Sequence, residues 1–141
     1  MKKTKNLLKP TKAQIVYRNQ LWADALRKNK KKSRERMCAN GGRCCLAVAQ
    51  DVAITYGVEV DESQDENDYV PTKSVGDFFG WGTFVPNFEL PNGTMNNAVA
   101  VNDSNIYNAN GSKGMTHKRI AECVENTFVH PKNPKWTFKL K

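Results

Sequence analysis

The hydrophobic positions of this chain predict one buried helix in its middle, over residues 44–56. The apolar side chains there fall on two neighbouring helical stripes: Cys45, Val48, Ala49 and Val52 on one, and Leu46, Ala53 and Tyr56 on the other. A helix that is apolar over most of its circumference is a buried one, and Gly57 suits a left-handed cap at its end. A buried strand is the alternative, but the length of the run and its alanines favour the helix.

The same periodicity predicts further helices on either side of this segment. The first begins at a capping box, Thr11 to Gln14, and runs to about Lys28 with Trp22 facing inward. A short helix is expected between Thr72 and Gly80, and a last one between Thr116 and Pro131, because Thr caps helix starts and Gly or Pro ends helices.

Short alternating stretches predict a small antiparallel sheet. Strands are expected at residues 83–85, 88–90 and 136–141, and a tight hairpin at Gly41-Gly42 joins residues 37–38 to 43–44. Together the elements predict an α+β fold in which three to four helices surround the central helix at about 44–56. Residues 1–10 are interpreted as a flexible basic arm, and residues 11–141 as a single globular domain.

Composition restricts the classes of protein that fit. No run approaches 18 apolar residues, so no membrane span is expected. The first ten residues are basic but have no apolar core, which argues against a signal peptide and for the cytosol. In that compartment the four cysteines are expected to be reduced thiols.

The net charge of +8 conceals a sharp division along the chain. Residues 1–43 hold 14 Lys/Arg against 2 Asp/Glu, residues 44–103 hold 1 against 10, and residues 104–141 hold 7 against 2, giving +12, −9 and +5. A uniformly basic nucleic-acid binder does not show this division. We therefore expect a bipolar molecule with a basic end and an acidic middle.

The basic end supplies the main candidates for a binding site, because each cation placed on a phosphate releases counterions. The predicted binding residues are seven cations and one polar pair: Lys28, Lys30, Lys31, Lys32, Arg34, Arg36, Arg43, Asn102 and Asp103. Two ordinary explanations stay open: a solvated charge run for the cations, and a turn or helix cap for the Asn-Asp pair. No aromatic residue interrupts the cations, so no stacking platform is evident.

The cysteines allow two chemical alternatives. Cys44 or Cys45 opens a helix beside Arg43, where a thiolate is favoured, and His117 is the candidate base, with Asn102 or Asp103 to orient it. Against catalysis, cysteine is an ordinary small residue in a buried helix. A zinc site would need Cys38, the twin cysteines and Cys123, but no two ligands have the spacing that structural zinc prefers.

Five short motifs occur in an order that resembles a known group of proteins. They are Trp22-x-x-Ala25-Leu26, Cys44-Cys45-Leu46-Ala47-Val48, Val70-Pro71-x-x-x-Val75, Val101-Asn102-Asp103 and Ile120-Ala121-x-x-Val124-Glu125. The chain is similar to small phage-encoded proteins with a Cys-Cys-Leu-Gly-Val core, a Leu-Pro-x-x-Val helix, a Leu-Asn-Asp step and a closing Ser-Phe-x-x-Ile-Ala helix. Ala47, Gln50 and Thr116-His117 depart from that pattern. The resemblance implies a phage origin, the host-cell cytoplasm and one compact domain, and it implies no reaction.

The function that these observations predict is a non-catalytic phage accessory protein that binds a host target through its basic N-terminal third. The expected partner is a host protein or an anionic ligand such as a nucleic acid or a nucleotide, without a membrane, metal or cofactor. The alternative function is a cysteine-dependent hydrolase or transferase that uses Cys44 or Cys45 with His117.

Overall fold

Helix α1 is the element against which most of the chain packs in the computed structural model. The model describes residues 7–29, 38–39, 42–60, 71–103 and 115–138, with the backbone alone at residues 38, 39, 42, 43 and 103. Within that part, the elements in chain order are α1 (Lys12–Lys28), β1 (Cys38–Ala39), β2 (Gly42–Arg43), α2 (Cys45–Thr55), α3 (Lys73–Phe79), β3 (Asn87–Glu89), β4 (Met95–Asn97), α4 (Ala98–Asp103) and α5 (His117–Val124). A π-helical turn, Glu125–Val129, continues α5.

Helix α1 begins at the predicted capping box. The Thr11 amide donates to Gln14 Oε1 at 2.9 Å, and the Gln14 amide donates to Thr11 Oγ1 at 3.2 Å. The inward face buries Trp22, and its indole Nε1–H donates to the Cys45 carbonyl at 2.9 Å. This bond fixes the later half of α1 against the first residue of α2.

Helix α2 is the predicted central helix, and it begins one residue later than expected. Cys44 is its N-cap, and Gly57 follows its C-cap with a positive φ of 98°, as predicted for a left-handed residue there. All side chains from Cys45 to Gln50 are buried, whereas Asp51, Ile54 and Thr55 reach solvent. The helix is therefore enclosed over its first half and has one open side over its last turn.

Helices α2 and α5 both run antiparallel to α1. The start of α2 contacts Trp22 in the later part of α1, and Gly57 at its end lies close to Leu7, which precedes α1. At the other junction, His117 at the start of α5 bonds to Asn29 at the end of α1. The C-terminal end of α1 therefore meets the N-terminal ends of α2 and α5.

The predicted α+β fold is confirmed, with five helices in the described residues; α1, α3 and α4 pack against the predicted central helix α2, whereas α5 packs mainly on α1. The strands there form two separate antiparallel hairpins. In the first, Cys38 pairs with Arg43 as the glycine turn predicts; in the second, Phe88 pairs with Asn96. The fully buried side chains of largest volume show where the core lies, and they are Trp22, Phe78, Phe79, Phe88, Leu26, Leu46, Met115, Ile120, Val75, Val101 and Val124.

Two predicted strands are wrong. At residues 83–85 the chain bends, for two reasons. The Thr83 carbonyl packs closely against Gly76 of α3, and the Thr83 hydroxyl donates to the Val85 carbonyl at 2.7 Å. Residues 136–138 also do not form a strand, because the Thr137 amide and the Thr137 hydroxyl donate to the Glu122 carboxylate, at 2.7 and 2.6 Å. Side-chain bonds replace a strand ladder there; residues 139–141 lie outside the described part.

Residues 7–10, which the sequence assigned to a basic arm, precede α1 in the described part. Leu7 and Leu8 pack against the core, and the Leu7 carbonyl accepts a bond from the Arg18 guanidinium at 2.7 Å. Residues 7–10 therefore belong with the globular part, and residues 1–6 lie outside the described part.

Candidate functional site

One end of the molecule gathers both ends of the basic sequence segment, residues 28–43. The segment begins at Lys28, the last residue of α1, and Asn29, its C-cap; it ends at Arg43, immediately before Cys44, the N-cap of α2. We call this end the basic pole and define it by Lys28, Asn29, Cys44, His117 and Lys118. Segment 104–114, which carries Lys113 and no acidic residue, also leaves and returns close to this end.

A relay of hydrogen bonds holds the basic pole together. The His117 ring, through Nδ1, bonds to the Asn29 carbonyl at 2.7 Å. Two residues before His117, the Met115 amide donates to the Val101 carbonyl at 2.7 Å. The next residue of α4, Asn102, accepts from the Cys45 amide at 3.1 Å. The two ends of the basic segment are therefore linked through α5 and α4.

The exposed charge at this pole comes from lysines that are not neutralised nearby. Lys28 and Lys118 are exposed, and neither forms an ion pair with another residue of the described part. Arg27 differs, because its guanidinium makes two bonds to the Glu125 carboxylate, at 2.7 and 2.6 Å. These bonds hold the pKa of Glu125 below its usual range and raise the pKa of Arg27.

Helix dipoles contribute little to this charge. The N-termini of α2 and α5 lie at the basic pole, but so does the C-terminus of the longer α1, which has the opposite sign. Some first-turn amides are also already bonded: the Ala47 amide to Cys44 Sγ and the Arg119 amide to Thr116 Oγ1. Lysine side chains, and not free helix amides, are therefore the groups available to an anion.

The structure assigns Asn102 to the core. Its side chain is 1% exposed, and its Oδ1 caps the first amide of α2 across 57 residues of sequence. This is the helix-cap role that the sequence left open, and a buried amide of this kind is not presented to a ligand. Asp103 is the last residue of α4, with its side chain outside the described part.

The remaining predicted binding residues are only partly placed. Arg43 pairs through its backbone in β2, and its side chain lies outside the described part. Five cations fall wholly outside it: Lys30, Lys31, Lys32, Arg34 and Arg36. Their sequence positions alone connect them to the basic pole.

The twin cysteines are interior residues and are not presented as nucleophiles. Cys44 and Cys45 are 5% and 0% exposed. Cys44 Sγ caps the Ala47 amide at 3.4 Å, and Cys45 Sγ donates to the Ala98 carbonyl at 3.7 Å. The candidate base His117 is itself buried, with Nδ1 bonded to the Asn29 carbonyl. Among the described residues, no group of three His, Cys, Asp or Glu side chains is placed to hold a metal.

We expect the described thiols to be inert in the folded protein. In a Cys38→Ser variant, which removes the one cysteine whose side chain is not described, iodoacetamide should react at least about a hundredfold more slowly before than after denaturation in urea. Burial is the reason, and it also raises the pKa of the Cys123 thiol. Mass spectrometry of the alkylated protein checks this. Rapid labelling of Cys44 or Cys45 at neutral pH would favour the enzyme alternative.

Two buried polar residues of α1 were not singled out by the sequence analysis. The Arg18 guanidinium donates to the Leu7 and Phe78 carbonyls, at 2.7 and 2.9 Å, and lies 4.2 Å from the centre of the Phe78 ring. The Asn19 amide nitrogen bonds to the Phe79 carbonyl at 2.9 Å, and its oxygen accepts from Trp81 Nε1 at 3.1 Å. Both occupy the same helical face as Trp22, which was the available signal.

A cleft of about 170 Å³ opens away from the basic pole, between Leu90, Pro131 and Trp136. It is smaller than most small-molecule sites, which enclose about 300–1,000 Å³. The buried Asn126 in its wall is already occupied, because its side chain makes two 2.8 Å bonds to the Lys135 backbone. The cleft therefore offers a weaker case for a ligand than the basic pole does.

Comparisons with protein-family models, with curated proteins and with solved structures find no match to this chain. In the part of the chain that the structure describes, no helix combines the length and the apolar character needed to cross a membrane.

Proposed function

We propose that this protein is a non-catalytic binding protein whose basic pole holds the phosphate backbone of a nucleic acid. The observation that carries the proposal is that hydrogen bonds through α4 and α5 link the two ends of the basic segment, at an end of the fold where Lys28 and Lys118 are exposed. Residues 28–43 hold seven Lys/Arg and one Asp/Glu, so the sequence ties several cations to this end of the fold. A polyanion with regularly spaced phosphates matches such a group better than a single small anion does.

The fold supports this proposal by placing two exposed carboxylates at the end of α2 that lies away from the basic pole. Helix α2 is 11 residues long, about 16 Å at 1.5 Å per residue, and its two ends carry opposite charge. The basic segment returns at its start, whereas Asp51 and Glu59 lie in and beyond its last turns. A nucleic acid at the basic pole is thus kept away from Asp51 and Glu59. As part of the same proposal, the resemblance to phage-encoded proteins implies that this binding takes place in the cytoplasm of an infected host cell.

We expect wild-type protein to bind short duplex DNA or single-stranded RNA with a steep salt dependence and little sequence preference. The Lys28→Glu/Lys118→Glu variant should bind at least about tenfold more weakly, and its plot of log K against log salt should be shallower by about 1 for each phosphate that the variant no longer neutralises. Fluorescence anisotropy between about 50 and 200 mM NaCl measures both quantities. A Lys30→Glu/Lys31→Glu/Lys32→Glu variant tests the adjoining segment in the same way.

The matched control is Lys132→Glu/Lys135→Glu, which makes the same charge change on exposed residues beyond the C-terminal end of α5. It should lose much less affinity than the variant at the basic pole. Equal losses would mean that binding follows net charge alone, and absence of binding at low salt would refute the proposal. A host protein retained from nuclease-treated lysate by wild-type protein, and not retained by the Lys30–32 variant, would instead establish a protein partner.

A further inference from the structure

A row of three side chains runs from the start of α5 to the cleft that Trp136 lines. The Arg119 guanidinium carbon lies 5.0 Å from the centre of the Phe138 ring, and that ring centre lies 5.4 Å from the centre of the Trp136 ring. Arg119 directly follows Lys118 of the basic pole, and Trp136 forms part of the cleft wall. We call Arg119, Phe138 and Trp136 the aromatic row. It connects the basic pole with the cleft.

The backbone that carries Trp136 is fixed on α5 and its π-helical turn. The buried Asn126 side chain makes two 2.8 Å bonds to the Lys135 backbone. The Glu122 carboxylate accepts bonds of 2.7 and 2.6 Å from Thr137. Trp136 lies between these two anchored residues. Its position is therefore set before a ligand arrives, so that binding immobilises little additional chain.

The cleft offers one aromatic ring and one carboxylate. Phe138 is only 8% exposed, so the partly exposed Trp136 presents the open ring of the row. Glu89 also lines the cleft, and it forms no ion pair with another residue that the structure describes. A carboxylate repels a phosphate, but it accepts hydrogen bonds from the amino groups of nucleobases. The cleft therefore suits a base and not the backbone of a nucleic acid.

Positive charge predominates around the row. The charged side chains on α5, on its π-helical turn and on the residues that line or flank the cleft are four cations and three carboxylates: Lys118, Arg119, Lys132, Lys135, Glu89, Glu122 and Glu125. Glu125 is neutralised by the guanidinium of Arg27. The field along the row therefore attracts a polyanion, although Glu89 keeps phosphates out of the cleft itself.

A nucleic-acid strand that contacts the basic pole can also reach the cleft. Lys118 and Asn126 are eight residues apart along α5 and its π-helical turn, which is about 12 Å at 1.5 Å per residue. Nucleotides repeat at about 3.4 Å or more along a strand, so a few of them cover this distance. The phosphates then lie towards Lys118 and Arg119, and a base lies at Trp136.

We infer that the ligand of the basic pole is a single-stranded nucleic acid, and that one of its unpaired bases stacks on Trp136. The inference rests on the proposed function and specifies its ligand. A duplex keeps its bases paired and stacked inside, whereas the bases of a single strand are free to stack on aromatic side chains. The basic segment contains no aromatic residue, but the fold supplies one from the C-terminal segment.

A comparison of two strands tests the inference. One is an ordinary DNA single strand, and the other is an abasic strand of the same length, which keeps every phosphate and has no bases. Wild-type protein should bind the ordinary strand at least about fivefold more tightly, which is the lower end of the effect of stacking one base. Trp136→Leu should bind both strands with similar affinity, and its salt dependence should match that of wild type because no phosphate contact is lost.

Two further variants and a spectroscopic measurement control for indirect effects. Trp136→Tyr should restore the preference for the ordinary strand, because a tyrosine ring also stacks on bases. Phe84→Leu removes an aromatic ring that is 50% exposed outside the row, and it should keep the wild-type preference. The ordinary strand should quench tryptophan fluorescence in wild-type protein and not in Trp136→Leu. Urea denaturation checks that each variant is folded.

The outcomes separate this inference from the proposed function. The inference fails if Trp136→Leu keeps the full preference, if wild-type protein binds both strands equally, or if it binds duplex DNA more tightly than the ordinary single strand. In each of these cases, weaker binding by Lys28→Glu/Lys118→Glu would still support the proposed function. If wild-type protein bound neither strand and no duplex at low salt, both would fail.

Discussion

Replacing Trp22 with alanine should lower the free energy of unfolding by about 3–5 kcal/mol, the range for removing a large aromatic side chain from a core. Trp22 is 0% exposed, and its ring centre lies 5.7 Å from Phe79, 5.0 Å from Trp81 and 6.0 Å from Phe88. The substitution also leaves the buried Cys45 carbonyl without its 2.9 Å donor. Domains are stable by only about 5–15 kcal/mol, so urea denaturation should show a large shift of the midpoint.

Trp22→Phe is the matched control, because it retains an apolar ring but removes the indole donor. We expect it to lose less than the alanine variant, with the lost indole bond contributing about 0.5–1.5 kcal/mol, because the Cys45 carbonyl keeps its bond within α2. Trp136→Ala, at a half-exposed position, should be milder than Trp22→Ala. Equal midpoints for wild-type and Trp22→Ala protein would contradict the central place of this residue in the core.

Replacing Gly76 with alanine should destabilise the protein, although alanine is normally preferred to glycine inside a helix by about 1 kcal/mol. A Cβ at Gly76 would lie 2.1 Å from the Thr83 carbonyl oxygen and 3.2 Å from its carbon. These are backbone atoms, so relief requires the bend at residues 83–85 to move away from α3. We expect a loss towards the upper end of the roughly 1–3 kcal/mol typical of overpacking.

Urea denaturation measures this loss, and its sign is what the experiment decides. Gly93→Ala is a useful companion, because Gly93 also has a positive φ, 83°, but nothing lies within 4 Å of its added Cβ. It reports the cost of a left-handed residue, about 1–2 kcal/mol, without a clash. A Gly76→Ala protein as stable as wild type would show that the chain at Thr83 yields easily.

Helices were predictable in this chain because their signals are local. The Thr11–Gln14 capping box, the apolar stripes of the central helix and the glycines at 57 and 80 each act within one or two turns. The strands at 83–85 and 136–138 were mispredicted because distant partners decide those segments. The Thr83 carbonyl of the first segment packs against Gly76, and the Thr137 amide of the second donates to the Glu122 carboxylate. Alternation along the chain carries no information about either partner.

The candidate site was predictable in its charge but not in its arrangement. The sequence divides into basic and acidic stretches, yet only the antiparallel packing of α1 and α2 places Lys28 at one end of these helices and Asp51 and Glu59 towards the other. A helix cap was one of the two roles open to Asn102, but its partner Cys45 is 57 residues away, beyond the reach of any local pattern.

The bidentate contact between Arg27 and Glu125 spans 98 residues, and it has a consequence for how the chain reaches its native state. During synthesis, α1 emerges from the ribosome long before the helix that covers its other side. Its apolar face therefore stays exposed in a partly folded intermediate, where a chaperone or a neighbouring nascent chain can bind it. Such distant pairing raises the contact order, so refolding should be slower than in a bundle of sequence-adjacent helices.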